Sequence, residues 1–419
     1  MNEKLYNVDA YAKNFESDVV SVSEKVYEKE QVYDIVLKNT CFFPEQGGQT
    51  SDTGFLYDTE GNAVFKVFHV AIEADVEHHL VKAGDVEDDL KADILNLKKV
   101  RGKINWEERY DKMQNHSGEH LVSGTVHRFF GYDNVGFSLS SENVTLDFNG
   151  TFTDEELDRV EKEVNKAVFE NFEVVITYPS EEELKTLEYR SKKELTGEVR
   201  IVEYPGYDVC ACCAPHVKRT GEIGLIKIVS AEHFKGGTRV TIRCGYRALA
   251  DYGTKLSSCR SISKLLSVPI DEVAKGAAKL SEDSRALNFK INGLYAQILA
   301  LKADSAKPEK TNIEGKECEA LLIFDDCADM NTARKLVSDR IKPDQDKDND
   351  KETAVGKLIC IFIGDDEKGY SFCIGSGEID CRKLLNTLKT GLNAKGGGSE
   401  SMIQGSVVAT ESKIRSLFT

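Results

Sequence analysis

This sequence lacks the long apolar run and the basic-then-apolar start that would point to a membrane or an exported protein, and neither is expected. None of its 419 residues fall in a window with the roughly 18 apolar residues that a membrane helix needs. The N-terminus, MNEKLYNVDAYAKNF, is polar and carries acids early, so the basic-then-apolar order of a secretory signal is missing. A cytoplasmic location is expected. A surplus of positive charge is also missing: the formal net charge is -16, which excludes the broad basic surface of a non-specific nucleic-acid binder. Any RNA contact has to come from local patches. Lys98, Lys99, Arg101 and Lys103 form one candidate run, and Arg190, Lys192 and Lys193 another, although a solvated surface explains either run as simply. A disulfide framework is not indicated, because the 11 cysteines are odd in number, irregularly spaced and unaccompanied by an export signal. Nor is there an internal repeat.

What is present is an ordinary globular composition, 40% hydrophobic and 30% charged, in a chain longer than one core usually serves. Residues 1–95 alternate in short runs such as VYDIVLKNTCFF and AVFKVFHVAI between GG, TG and EGN turns, which predicts a small antiparallel β-barrel-like domain. From Ile104 the period becomes helical and stops at Gly131. Strands are expected at 135–148, 172–178, 198–203 and 224–243. A second helix opens at Thr153, where Glu156 three residues on completes a capping box. Residues 96–252 thus read as an α+β domain. Residues 253–306 carry an apolar stripe through Val273, Ala277, Leu280, Leu287, Ile291, Leu294, Ile298 and Leu301, the mark of a helical connector or a homodimer interface. Residues 307–419 alternate strands and helices as a small α/β module, and the run KPDQDKDNDKET reads as a solvated loop. The fold class is therefore α+β in several parts.

The sharpest chemical pattern is His116 and His120, four apart on the predicted helix and so on one face, together with Cys212 and His216, four apart in CCAPH. Three imidazoles and a thiolate suit Zn2+. HxxxH by itself is a weak signal, and spacing does not show that the two pairs meet. The same helix also spells H-x-x-E-H through Glu119, the pattern of an inverted zinc metalloprotease, a reading that leaves the Cys–His pair without a role. A second pattern is CFFPEQGGQTSDTG, residues 41–54, where Pro44 fixes a turn and Gly47-Gly48 permits close backbone approach. By itself this is an ordinary turn between strands.

The combination is more specific. TCFFPEQGGQTSDTG from Thr40 resembles the TxFxPEGGGQxxDxG segment of the alanyl-tRNA editing proteins, the AlaX family, and of the editing domain in alanyl-tRNA synthetases. NHSGEHL resembles their HTAxHLL, and CCAPHVKRTGEIGLIKI resembles their CGGTHVxxTGEIGxxKI. The order is the family's across about the first 250 residues. GLNAKGGGSESMIQGS from Gly391 is similar to the small Gly-rich C-terminal domain of alanyl-tRNA synthetases, and no segment resembles the aminoacylation core. The resemblance is to the long form of the editing family.

It implies zinc held by His116, His120, Cys212 and His216, with Cys210 and Cys213 as flanking competitors and a stiffened Cys213-Ala214-Pro215 loop where the family has Gly-Gly-Thr. It also implies hydrolysis of the ester that joins a wrong amino acid, serine or glycine, to alanine tRNA. Thr40 is the expected contact to a substrate hydroxyl, and Gly47 and Gly48 would admit close backbone approach. Gln49 completes the predicted catalytic set. Zinc can lower the pKa of water to about 7 and polarise a carbonyl. Four protein ligands match a closed structural site, so three mechanisms stay open: an expanding shell, a departing ligand, or a zinc that only orients substrate. Lys389, Lys395, Gly396, Gly397 and Gly398 are the expected tRNA contacts of the last domain. Two other classes stand beside this reading: the metalloprotease, and a non-catalytic tRNA-binding protein with a structural zinc.

Overall fold

The computed structural model describes residues 3–61, 63–141, 143–191, 198–313, 315–341 and 356–418. Lys192, Lys193 and the run KPDQDKDNDKET lie outside them. Strands β1 (Asn14–Tyr27), β2 (Glu30–Leu37), β3 (Gly54–Asp58), β4 (Val64–Glu73), β5 (Val76–Lys82) and β6 (Lys99–Ile104) close a barrel in the order β1-β2-β5-β4-β3-β6. Alternation drives it. In β6, Val100, Gly102 and Ile104 face inward while Lys99, Arg101 and Lys103 face out. The interior is filled by Ile35, Leu37, Phe42, Leu56, Phe65, Val67 and their neighbours. The run at 98–103 is thus mostly a strand, and the barrel takes its closing strand from beyond residue 95.

Helix α1 (Trp106–Phe130) follows and is buried almost throughout from Arg109 to Val126. It ends where the sequence predicts, at Gly131 with φ 70, whose N–H caps His127 O. A four-stranded antiparallel sheet lies against it, built from β7 (Asn134–Leu139), β8 (Val144–Phe148) and two later strands. Helix α2 (Asp154–Glu170) begins with the expected capping box, Thr153 and Glu156 bonding each other's backbone N–H at 3.2 and 2.8 Å. Strands β9 (Val175–Thr177), β10 (Ile201–Tyr204) and β11 (Asp208–Ala211) form a small sheet, and β12 (Ile226–Phe234) and β13 (Gly237–Cys244) complete the larger one in the order β12-β13-β8-β7. The core between helices and sheet includes Leu121, Val122, Leu146, Val160, Val164 and Ile242.

The chain divides into two units at Ser258, inside helix α3 (Gly245–Leu266). In the second unit, helix α4 (Val273–Ser305) packs Leu299 and Ala303 onto a sheet, while Leu280, Leu287, Ile291, Leu294, Ile298 and Leu301 stay exposed. That sheet comprises β14 (Glu309–Ile313), β15 (Lys316–Asp325), β16 (Gly356–Asp365), β17 (Gly369–Gly375), β18 (Lys395–Gly398) and β19 (Met402–Val407) in the order β14-β15-β16-β17-β19-β18. Only β15 and β16 run parallel. Helix α5 (Met330–Arg340) serves this crossover, and α6 (Cys381–Leu392) covers the sheet with Leu384, Leu385 and Leu388. The α+β class holds throughout, with the barrel in the N-terminal region.

Candidate functional site

The two pairs of chemical residues meet. Helix α1 carries His116 and His120 one turn apart, with ring centroids 5.5 Å apart and planes 14° from parallel. Cys212 and His216 arrive on the loop after β11. The ligating atoms of the four residues all lie within 4.8 Å of one another, a group that could hold a metal ion. Cys212 Sγ is 3.6 Å from His116 Nε2 and 3.3 Å from His216 Nε2.

Each imidazole is oriented through its other nitrogen. His116 Nδ1 is 2.8 Å from Gln49 Oε1, and His120 Nδ1 is 2.8 Å from Asp208 Oδ2. An amide oxygen and a carboxylate can only accept, so both rings carry an N–H on Nδ1 and turn Nε2 toward the other site residues. His216 Nδ1 lies between Ser117 Oγ at 3.3 Å and Tyr204 OH at 3.2 Å. His120 Nε2 is buried with no hydrogen-bond partner. A buried ring nitrogen left without a partner beside two more imidazoles and a thiol fits a bound cation, and three nitrogens with one sulfur fit a tetrahedral ion of borderline softness.

Further residues hold these four. Arg190 grips Asp208 with Nε to Oδ1 and Nη2 to Oδ2, both at 2.7 Å. It was a candidate RNA cation by sequence; instead it is an ion partner inside the site. Arg200 donates from Nη1 to Cys212 O at 2.7 Å and Ala214 O at 2.9 Å, clamping the loop that carries two of the four candidate metal-binding residues. A second group, His120 with Asp208 and Cys210, also lies close enough for a metal. Both Asp208 oxygens already accept from His120 and Arg190, which leaves this set poor in free donors. Cys213 packs near Tyr6, Phe43 and Ala214 and faces Gly47.

Charge is arranged to match. Burial opposes a proton on His120, yet Glu119, Asp208 and Cys210 around it raise its pKa to about 10. Burial, with His120 and His116 alongside, drives His216 far below the usual histidine range. The acids around His120 favour positive charge there while His216 is kept neutral, and a divalent cation would take the place of the proton on His120 Nε2. Glu119 is 2% exposed and accepts from Ser123 at 2.8 Å and Asn134 at 2.7 Å. That anchoring marks it as part of the buried support of the helix.

Gly48, at φ +84, needs its missing side chain because a Cβ would stand 2.7 Å from Phe137 O. The Gly-Gly segment therefore packs on β7, where Leu139 N–H donates to Gly48 O at 2.7 Å, and this sets Gln49 beside His116. Gln49 Nε2 is buried without a partner. Thr40 is wholly buried elsewhere in the network: its hydroxyl lies 2.8 Å from His79 Nε2 and accepts from Phe42 N–H at 3.1 Å, and neither bond reaches the four candidate metal-binding residues. In the second unit, Lys389 and the strand Lys395–Gly398 are exposed. Sequence reasoning missed Asp208, Tyr204, Ser117 and Arg200. The only available signal was position, Asp208 lying one β-strand before Cys212.

Residues 199–241 match the family model described as Threonyl and Alanyl tRNA synthetase second additional domain. Residues 4–108, the barrel and its approach to α1, match the model described as tRNA synthetases class II (A), so a synthetase family model does reach into this chain. The alanyl-tRNA editing protein AlaX-M of Methanosarcina mazei is 35% identical over 238 residues, 54% of this chain and 90% of that protein. This chain belongs to the alanyl-tRNA editing protein family. AlaX-L of Pyrococcus horikoshii is 26% identical over 438 residues, which is 99% of this chain and 96% of that editing protein. An alanine–tRNA ligase of Methanobrevibacter smithii is 28% identical over 415 residues, which is 96% of this chain but only 43% of that ligase. Among the described residues no helix is long and apolar enough to cross a membrane.

Proposed function

We propose that this chain is a zinc-dependent deacylase that acts in trans on alanine tRNA wrongly charged with serine or glycine. The observation that carries the reading is the convergence of His116, His120, Cys212 and His216, each imidazole oriented through its Nδ1, in a chain of the editing family. Zinc, when bound by these four, would supply Lewis acidity toward the ester carbonyl. The chain's own groups do the rest. Asp208 and Gln49 fix two rings so that the ligand set is formed before substrate arrives. The Gln49 amide N–H, buried beside His116 and unpartnered, is available to hydrogen-bond the substrate. The preference for serine over correctly charged alanine follows from such a group: a substrate that lacks the hydroxyl leaves a buried polar atom unpaired, at a cost of about 1–3 kcal/mol.

The second unit supplies the choice of tRNA, since serine is legitimate on serine tRNA. Lys389, Lys395 and the bare backbone of Gly396, Gly397 and Gly398 are the exposed groups suited to phosphate or base edges. The exposed stripe Leu280–Leu301 on α4 supports a homodimer. The deciding assay is deacylation of serine-charged and alanine-charged alanine tRNA, with and without chelator. Fast loss of serine, slow loss of alanine and inhibition by chelator are expected; equal rates on both would overturn the editing reading.

A further inference from the structure

The barrel carries a feature that ester hydrolysis does not use. On its outer face, Phe55 of β3 stands directly opposite Lys66 of β4 on one side and Lys103 of β6 on the other. One step along, Tyr57 stands opposite Arg101. Phe55 is 40% exposed, and Lys66, Arg101 and Lys103 are all exposed. The rings of Phe55 and Tyr57 lie 6.4 Å apart at 46°. Among the described residues none of these three cations forms an ion pair, whereas Lys99, next along β6, lies 3.8 Å from Asp18. A groove of about 570 Å³ runs beside Tyr57, Arg101 and Lys103, with Glu16 as its acidic member. Three cations without an ion pair among the described residues thus surround an exposed ring, Phe55, and a half-buried one, Tyr57, in a chain of net charge -16.

We propose that this face binds a single-stranded segment of RNA, the unpaired 3′ end of the charged tRNA; the assignment of source rests on the editing reading above. The charge pattern fits a polyanion, and neighbouring strands about 4.8 Å apart with same-face residues about 7 Å apart set the cations around the rings as a backbone track flanks stacked bases. The exposed ring of Phe55, with Tyr57 half-buried beside it, selects unstacked bases, because a duplex offers its phosphates but hides its base faces. The face belongs to the same unit as the four ligands, so an RNA end held here is held by the domain that cleaves the ester.

The test uses the full-length chain and two double variants, Phe55→Ala/Tyr57→Ala and Lys66→Ala/Lys103→Ala. None of these residues touches the ligand set, and metal content and thermal unfolding serve as controls. Fluorescence anisotropy with a labelled single-stranded RNA octamer and with a blunt RNA duplex reads binding without any chemistry. Loss of both rings is expected to weaken octamer binding at least 10-fold and duplex binding less than 3-fold. Loss of both lysines is expected to flatten the slope of log K against log salt by roughly 1.4, about 0.7 for each phosphate contact. In deacylation, both variants should raise KM and leave kcat within 2-fold. An octamer affinity unchanged in both variants, or equal losses for octamer and duplex on removing the rings, overturns the proposal. Wild-type protein that binds the octamer through these residues but deacylates nothing would overturn the editing reading and leave this face as an RNA site.

Discussion

Removing the carboxylate of Asp208 isolates what orients the proposed metal site. Three N–H groups converge on its two oxygens: Arg190 Nε on Oδ1, and His120 Nδ1 with Arg190 Nη2 on Oδ2. In Asp208→Asn one oxygen becomes an NH2 that must oppose at least one donor. The less costly orientation keeps the oxygen toward His120 and sets the NH2 against Arg190 Nε. His120 then retains its proton on Nδ1, while a mostly buried guanidinium loses its counter-charge. Breaking a buried pair costs about 3–5 kcal/mol, and the partial exposure of Arg190 argues for the lower end. Metal affinity should fall only about 10-fold. Asp208→Ala frees the His120 ring and should lose about 100-fold, the upper end for removing an orienting partner. Arg190→Met leaves the Asp208–His120 bond in place, so affinity should stay within about 3-fold while stability falls. Chelator competition measures affinity, and urea unfolding measures stability. If Arg190→Met lowers affinity as much as Asp208→Ala, the pair serves loop folding and the orienting role is wrong.

Zinc analysis of purified protein should give one equivalent, lost in His120→Ala; full retention there would refute the ligand assignment. His79 is wholly buried, and burial lowers its pKa to about 4. Its neutral form is the folded one, so stability is intact above pH 6.5 and declines by about 2–3 kcal/mol toward pH 4.5, a slope that His79→Asn should flatten in urea titrations. Gly124→Ala would drive a Cβ to 2.3 Å from Tyr207 O, the residue before Asp208. It should destabilise the fold by about 1–3 kcal/mol and weaken metal binding together, as melting and chelator competition would show. A chain ending at Ser258 should keep its metal and cleave serine from alanine tRNA while losing affinity for the tRNA; unchanged affinity would remove the second unit from recognition.

The four candidate ligands were legible because their chemistry is local: two histidines one turn apart, and a cysteine and histidine on one loop. The helix stop at Gly131 and the capping box at Thr153 are local too. What escaped depends on distant partners. Arg190 looked like a surface cation because only the fold brings Asp208 to it. The run at 98–103 was read by its charge, although its alternation of Lys99, Arg101 and Lys103 with Val100, Gly102 and Ile104 is the period of a strand buried on one side. That this strand closes the barrel against β1 and β3 is a long-range pairing with no signature in the segment itself.

The position of the Gly-rich segment explains why the barrel accompanies this chemistry. Residues 41–54 run from the barrel onto α1 and make successive contacts along it. Asp52 pairs with Arg109 in a wholly buried ion pair, Ser51 O accepts from Lys112 Nζ at 2.6 Å, and Gln49 accepts from His116 at 2.8 Å. These helix positions, 109, 112 and 116, are three and four apart and so lie on one face, the face that reaches His120 one turn later. The segment is thereby a splint between barrel and ligand helix. Its two glycines have φ of +65 and +84, and Gly48 approaches Phe137 backbone closely enough to exclude a Cβ. A Cβ at Gly48 would have to displace either β7 or Gln49, so a barrel intact in every strand could still leave His116 without its acceptor. The motif's specificity for glycine and glutamine therefore follows from delivering one amide oxygen to one imidazole.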